Sequence, residues 1–504
     1  MSFVSDSADQ SQKKAPLLDA LREATYKPHA PFYAPGHKRG QGIPQPLVDL
    51  LGASVFPADL PELPDLDNLF TPEGVIQEAQ ELAAAAFGAQ RTWFLVNGST
   101  AGVMAAILAT CSTGDKIILP RNIHQSAISG LILSGAIPVF INPEYDPSTD
   151  LAHSITPIAV ATALKQHPDT KAVMMVCPTY HGVCGDVSAI AHLAHQHNIP
   201  LLVDEAHGPH FAFHPDLPPS ALSAGADLSV QSTHKVLGAM TQASMLHIQG
   251  NRVDAQRLSK ALQLLQSTSP SYILLASLDG ARQQMALYGQ QLMSQTLQLA
   301  DEARNQISQI AGLTVLELAK TPGFLALDRT RLTVKVSDLG LSGFEVDQIF
   351  HQQLGVTAEL PTLQHLTFII SLGNTAADIK NLVQAFTSIT QENYRPKLIT
   401  SLQELLQKWK TELLFVHPSS FIISPSISPR DAFFASTETL PINQALDRIS
   451  AELVCPYPPG IPALMPGEYI TPAAIEYLQQ VLSLGGSLTG CSDPSFKTLK
   501  VVSC

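Results

Sequence analysis

Between residues 91 and 231 short apolar runs recur, most of them separated by stretches with helical spacing. The runs are Arg91-Thr-Trp-Phe-Leu-Val96, Lys116-Ile-Ile-Leu119, Pro138-Val-Phe-Ile141, Ala172-Val-Met-Met-Val176, Pro200-Leu-Leu-Val203 and a last one at 228–230. The helical stretches lie at 125–134, 156–167 and 187–197. Strands that are apolar almost throughout must be covered on both faces, so the alternation predicts an α/β fold with a mostly parallel sheet. Such sheets bind ligands beyond the C-terminal ends of their strands, which singles out Asn97 to Thr100, His124, Thr179, Asp204 and Lys235.

On either side the pattern changes. Residues 1–14 are polar and read as a disordered tail; 15–25 and 75–87 have helical spacing, with an irregular loop at 28–42 between them. From about 250 to 312 the chain is helical and polar on one side. Residues 313–338 alternate as strands, a further strand runs over 366–372, and helices follow at 375–389 and 398–413. The expected organisation is a large domain over 15–312, a small α+β domain over 313–395 and a C-terminal domain over 396–504. Prolines crowd the last of these, and Val454 to Tyr469 reads as a rigid loop because proline fixes φ.

Composition narrows the class. A chain of 504 residues, 45% hydrophobic and 14% charged, can bury large cores in two or three domains. It has no apolar run of 18 residues and no apolar signal core at the start, so a soluble cytoplasmic protein is expected. Six scattered cysteines read as reduced thiols. A net charge of −13 argues against nucleic acid and anionic membranes and mildly favours a cationic substrate.

The chemistry concentrates in two stretches. Asp227-Leu-Ser-Val-Gln-Ser-Thr-His-Lys235 opens as a buried strand and places Ser232, Thr233 and His234 directly before a lysine. The hydroxyls and the imidazole suit a phosphate, and the amine suits a carbonyl carbon. Alone, Lys235 would read as a solvated strand-end lysine. About thirty residues upstream, however, Leu201-Leu-Val-Asp-Glu-Ala-His207 ends a strand in an acid and then a histidine. A strand-end aspartate together with a lysine meets the two needs of pyridoxal phosphate, a pyridinium partner and an imine-forming amine. Gly98-Ser-Thr100 opens a helix whose free N–H groups and hydroxyls form a second wall of a phosphate site. His124, just past a strand end, offers a flat ring to stack on a pyridine.

The spacing of His207, His210 and His214 would suit a metal only on a helix, and Pro209 and Pro215 oppose one. No metal is expected, and of the three only His207 is expected near the cofactor. A loop at 56–70 carries Asp59, Glu62, Asp65 and Asp67 among prolines, and Glu468 sits in the C-terminal loop. These acids are the candidates for meeting a substrate cation.

Taken together these residues resemble the bacterial pyridoxal-phosphate-dependent ornithine/lysine/arginine decarboxylases with the aspartate-aminotransferase fold. The resemblance runs through Pro31-Phe-Tyr-Ala-Pro-Gly-His-Lys38, Asp67 with Pro72-Glu-Gly74, Asn97-Gly-Ser-Thr100, Arg121-Asn-Ile-His124, Pro178-Thr-Tyr180 with Gly182-Val183, Asp204-Glu-Ala-His-Gly208, Ser232-Thr-His-Lys235 and Tyr457-Pro-Pro-Gly-Ile-Pro462. It implies Lys235 as the Schiff-base lysine, Asp204 as the pyridine-nitrogen partner and His124 as the ring-stacking residue. It also implies Ser99, Thr100, Ser232 and His234 as phosphate ligands, and a homodimer or dimer-based oligomer with shared active sites. The 59–67 loop would then reach the partner's site, with Asp65, Asp67 or Glu468 binding substrate. The chain starts almost at the domain entry, which implies the short form without an N-terminal wing domain. The implied reaction is decarboxylation of a basic amino acid in polyamine metabolism, with arginine favoured over lysine and ornithine. Lys235 and His234 both remain open as proton donors to Cα. Two alternatives stand beside it: an aminotransferase using Arg329 or Arg331 to hold the substrate carboxylate, and a catalytically silent regulatory protein that binds the cofactor.

Overall fold

The computed structural model describes residues 10–391, 422–423, 426–457 and 460–503; the helix expected over 398–413 lies outside them. The chain forms two compact units. The first comprises the chain up to Ala109 and Val203–Ser294, and the second Thr110–Leu202 and everything from Gln295.

In the first unit the strand Arg91–Leu95 lies beside Ser244–Ile248, which lies beside Leu228–Gln231, and both pairings are antiparallel. The middle strand was not legible as an apolar run, because Ser244 and His247 interrupt it; both are fully buried. The helical stretch after residue 250 divides into Ala255–Leu265 and a 37-residue helix, Tyr272–Ser308. The break falls at Thr268-Ser-Pro-Ser271, where Pro270 cannot donate to a continuing helix. Residues 10–14, expected within a disordered tail, are held against the long helix. The buried Arg282 guanidinium donates to the Gln12 carbonyl at 3.0 Å and to the Lys14 carbonyl at 2.7 Å. Its ion-pair partner Asp279 accepts the N–H groups of Leu17 and Leu18, capping the helix Pro16–Tyr26.

The second unit contains the parallel part of the architecture. Lys116–Pro120 is flanked by Ile137–Ile141 and Thr170–Val176, both parallel to it. Helices Gln125–Ser134, Pro157–Gln166 and Val187–Gln196 fall where the periodicity places them. Ile422–Ile423 adds an antiparallel edge against Ile141 and Phe140. A four-stranded antiparallel sheet follows the long helix, in the order Thr314–Val315, Arg331–Lys335, His365–Ile369, Leu360–Pro361. Leu332, Val334, Leu366 and Phe368 from it pack with Ala303 and Ile307 of that helix and with Phe350 and Phe386. Nearer the C-terminus the helix Pro472–Ser483 packs Leu478 and Val481 on Leu464, Ile470 and Phe496. Among the described residues no helix is long and apolar enough to cross a membrane.

The acidic loop owes its shape to Asp67. Its backbone takes the left-handed conformation, φ +69°, which brings its carboxylate to the start of the helix Val75–Phe87. That carboxylate accepts N–H groups from Asn68, Glu73, Gly74, Ile76 and Gln77 at 2.8–3.4 Å. Burial raises the Asp67 pKa, but these hydrogen bonds outweigh it and hold the acid below its ordinary value. The expected consequence is that Asp67→Ala destabilises the protein by about 1–2 kcal/mol, as for a lost N-cap. A depressed carboxylate stabilises the fold above its unfolded pKa and loses that contribution as pH falls through the folded one. The difference in melting temperature between wild type and Asp67→Ala should therefore be full near neutrality and shrink below about pH 4.

Candidate active site

The two strands Arg91–Leu95 and Leu228–Gln231 are each antiparallel to the strand between them, so they run the same way and end at one edge. Past the first, Gly98 takes φ +74°, a conformation that favours glycine, and opens the helix Gly98–Thr110. Past the second, Ser232 precedes the short helix Thr233–Val236. The Ser232 hydroxyl donates to the Ser99 hydroxyl at 2.7 Å and joins the two ends. Thr100 is exposed beside them. His234 is fixed by two bonds to one carbonyl: its backbone N–H and its ring Nδ1–H both donate to Ala243, at 3.1 and 2.9 Å. Thr233 Oγ1, fully buried in the same turn, has no hydrogen-bond partner among the described residues.

Lys235 projects from this turn, and its Nζ donates to His207 Nε2 at 2.9 Å. An ammonium only donates, so Nε2 is the acceptor and Nδ1 carries the hydrogen of a neutral ring. The strand Leu201–Asp204 supplies Asp204, which is 5% exposed. Its Oδ1 accepts the Ala206 N–H at 3.2 Å. Burial pushes the Asp204 pKa up; the Lys235 charge and the Ala206 bond pull it down without cancelling the rise. The first unit thus gathers Ser99, Thr100, Asp204, His207, Ser232, His234 and Lys235.

The next residue, Glu205, begins a polar network that sequence reasoning missed. Its Oε1 accepts the Ala221 N–H at 2.7 Å, and its Oε2 accepts Ser229 Oγ–H at 2.6 Å and Gln231 Nε2–H at 2.8 Å. Because the Gln231 amide nitrogen faces Glu205, its oxygen accepts from His247 Nε2 at 3.1 Å, and His247 Nδ1 accepts the Thr92 hydroxyl at 2.8 Å. His247 stacks on Phe87 and burial lowers its pKa to about 3, so the ring is neutral. The available signal was the alternation Leu228-Ser-Val-Gln231, which puts two polar residues on one face of an otherwise apolar strand.

The remaining candidates have contacts of their own. His124, in the second unit, is the N-cap of Gln125–Ser134; its Nδ1 accepts the Ser126 N–H at 3.2 Å. Glu468, a candidate substrate ligand, pairs with Arg121 at 2.9 Å and accepts the Met465 N–H. Asp67 is committed to its helix cap, Asp65 pairs with Lys27 at 2.6 Å, and Asp59 pairs with His37 at 3.1 Å. Acids in a proline-broken loop met chain cations and helix N–H groups close by, which spacing alone does not reveal. Glu62 accepts from Asn68 through Oε2, while its buried Oε1 has no hydrogen-bond partner among the described residues. Of the three histidines, His207 meets Lys235, His210 packs on Phe211, and His214 bonds Ser294. No α-helix spans 207–214, and among the described residues no cluster is placed to hold a metal ion.

With 22% identity and a TM-score of 0.80, the chain overlays the crystal structure of the Francisella novicida lysine decarboxylase LdcF over 98% of its own length and 82% of that chain. The fold is the type I fold of pyridoxal-phosphate-dependent enzymes. Residues 15–325 match the major domain of the Orn/Lys/Arg decarboxylases, and residues 409–493 match their C-terminal domain. The chain is also 39% identical to the arginine decarboxylase of Bacillus subtilis (strain 168) over 494 residues, and 38% identical to that of Bacillus anthracis over 496, covering 98% of each chain in both comparisons. It belongs to the Orn/Lys/Arg decarboxylase family and is a decarboxylase.

The Glu205 network has a measurable signature. Burial pushes the Glu205 pKa up to about 7, against the hydrogen bonds that favour its charge. An acid with a raised pKa stabilises the fold fully below its unfolded pKa of about 4.5 and loses that contribution as pH rises through the folded value. Glu205→Gln keeps the shape but turns an amide N–H toward the Ala221 N–H, an unmade bond that costs about 1–3 kcal/mol. Thermal melts from pH 4.5 to 8 should show the variant less stable throughout, with a flatter pH dependence than wild type.

Proposed function

We propose that the chain is a pyridoxal-5′-phosphate-dependent arginine decarboxylase, releasing CO₂ and agmatine. The observation that carries this reading is the convergence of the Lys235 amine, the buried Asp204 carboxylate and the joined Ser99 and Ser232 hydroxyls in the first unit. The donor set fits the cofactor. Hydroxyls beside an open helix N-terminus suit a phosphate, and a buried carboxylate that Lys235 compensates only in part suits a protonated ring nitrogen. Lys235 would bind the carbonyl carbon and Asp204 would meet the ring nitrogen. Ser99, Thr100, Ser232 and His234 would hold the phosphate, with His207 close by and His124 stacking on the ring.

Bound there, the cofactor supplies the sink for the electron pair left at Cα as CO₂ departs. Asp204 would keep that sink effective by favouring a protonated ring nitrogen. Lys235 must lose a proton to act as a nucleophile, and His207 Nε2 at 2.9 Å is placed to take it. The same Nζ can return a proton to Cα. His234 has its Nδ1–H committed to the Ala243 carbonyl, which favours Lys235 as the donor. Arginine is favoured over lysine because the relatives matching at 38–39% identity across 98% of both chains are arginine decarboxylases.

The same proposal includes a homodimer. Phe32 is 95% exposed and Leu50 77%, and the helix Gln45–Leu51 buries none of its residues. Sedimentation equilibrium should return about twice the 54.0 kDa chain mass. Phe32→Asp with Leu50→Asp should shift the protein toward monomer.

The activity is tested by ¹⁴CO₂ release from carboxyl-labelled arginine, lysine and ornithine. The highest kcat/KM is expected with arginine; release from none of the three would refute the reading. Borohydride reduction of the loaded enzyme should label Lys235. Asp204→Asn keeps the volume but removes the charge, and should lower kcat by at least about 100-fold, roughly 2.7 kcal/mol in the barrier.

A further inference from the structure

Arg121 ties the segment that carries His124 to the C-terminal loop. Its Nη1 donates to the Pro462 carbonyl at 2.8 Å, and its Nη2 donates to the Ala463 carbonyl at 3.3 Å and to Glu468 Oε2 at 2.9 Å. The Arg121 and Glu468 side chains are only 19% and 13% exposed, so the pair is largely removed from water. The same Glu468 oxygen accepts the Met465 N–H at 3.2 Å, closing the loop on itself.

A second attachment lies at the imidazole. The N–H of Gln125, the first residue of the helix that His124 caps, donates to the Gly460 carbonyl at 3.1 Å. Gly460 has φ +76°, and a Cβ built there would stand 3.3 Å from His124 Nε2 and 3.2 Å from Gln125 Nε2. On its other side the ring accepts the Ser126 N–H through Nδ1. The imidazole is therefore bracketed by its own helix and by a loop more than 330 residues later in the chain, and the guanidinium fork holds that loop.

We propose that Arg121 is a positioning residue that sets the His124 imidazole by locking the 460–468 loop beside it. A fork with several in-plane donors reaches two carbonyls and a carboxylate together, whereas a lysine would meet them as a point charge. The partly buried Glu468 neutralises the guanidinium and closes the loop. The inference rests on the reading of His124 as a cofactor-stacking residue only for its catalytic meaning.

The placement is tested on the full chain labelled with [¹³Cε1]-histidine, the His124 resonance being assigned by its loss in His124→Asn. Arg121→Gln and Gly460→Ala should each shift or broaden that resonance and leave the His207 and His234 signals in place. Arg121→Lys, which keeps the charge and loses the fork, should do the same and covers the case in which Arg121→Gln fails to fold. An unmoved His124 resonance in a folded Arg121 variant overturns the proposal. In parallel, apo-protein is titrated with pyridoxal phosphate and followed by visible circular dichroism. Arg121→Gln should raise the dissociation constant about 10- to 100-fold, the range seen when the partners that orient a metal-bound imidazole are removed. An unchanged constant beside a His124→Asn variant that binds weakly overturns the proposal and leaves the cofactor reading intact. A wild-type protein that binds no pyridoxal phosphate while the resonance still moves refutes the cofactor reading and leaves the positioning role standing.

Discussion

Asp204 is a carboxylate at the end of a sheet strand with one backbone N–H and the charge of Lys235 to offset its burial. Taking an ion out of water costs several kcal/mol unless charge or hydrogen bonds replace the lost hydration, and much of the first unit follows from how that cost is met. Asp204 and Glu205 are consecutive, yet they are satisfied in opposite ways. Glu205 receives three neutral donors and is sealed. Asp204 is left under-compensated beside a lysine, the state in which a buried acid draws in a cation. Each polar group that serves Glu205 needs a partner of its own, so the network continues through Gln231 and His247 to Thr92, across three strands. It holds the strand from which Asp204 projects and, through Ala221, the segment that carries His207.

Strand direction does the rest of the gathering. Inserting the antiparallel Ser244–Ile248 between two strands that run the same way brings Gly98–Ser99 and Ser232–Lys235 to one edge without a long connection between them. The reversed strand begins at that edge, so Ala243 is there to fix His234 and the Gln242 side chain donates to the Val96 carbonyl. In the second unit buried charge is met in a comparable way in the Arg121–Glu468 pair, where two carbonyls and a carboxylate accept from one guanidinium.

The sequence made the α/β class, the parallel strands flanking Lys116–Pro120 and the lysine–aspartate pairing readable, because each rests on a local signal: apolar runs, helical spacing, and reactive residues at strand ends. The strand Ser244–Ile248 was not readable, since His247 is apolar in effect only after Gln231 and Thr92 have satisfied its nitrogens. The contacts of the acids of the 56–70 loop and of Glu468 were not readable for a related reason. An acid's role depends on which cation or N–H group folding brings to it. Asp67 found the N-terminus of the helix Val75–Phe87, Asp65 found Lys27, and Glu468 found Arg121, none of which a spacing rule encodes. Likewise the partnership of Arg121 with residues 460–468 spans more than 330 positions and leaves no periodic trace.

The disposition of arginines bears on the choice between decarboxylation and amine transfer. An aminotransferase retains the substrate carboxylate and benefits from a guanidinium that holds it throughout. In decarboxylation the carboxylate loses its negative charge on the way to CO₂, so a guanidinium clamp would stabilise the ground state more than the transition state and slow the reaction. Arg329 and Arg331 are the arginines whose sequence position offers such a clamp. Both Asp301 oxygens lie against Arg329, at 2.9 and 2.7 Å. Arg331 is 1% exposed, with Asp328 3.8 Å away, and its burial is opposed by the charges of Asp328 and Glu359. The Arg329 guanidinium is thus paired with an acid of its own unit. A decarboxylase gains from a carboxylate that is not clamped by a cation, because the charge such a clamp would hold is lost as CO₂ leaves.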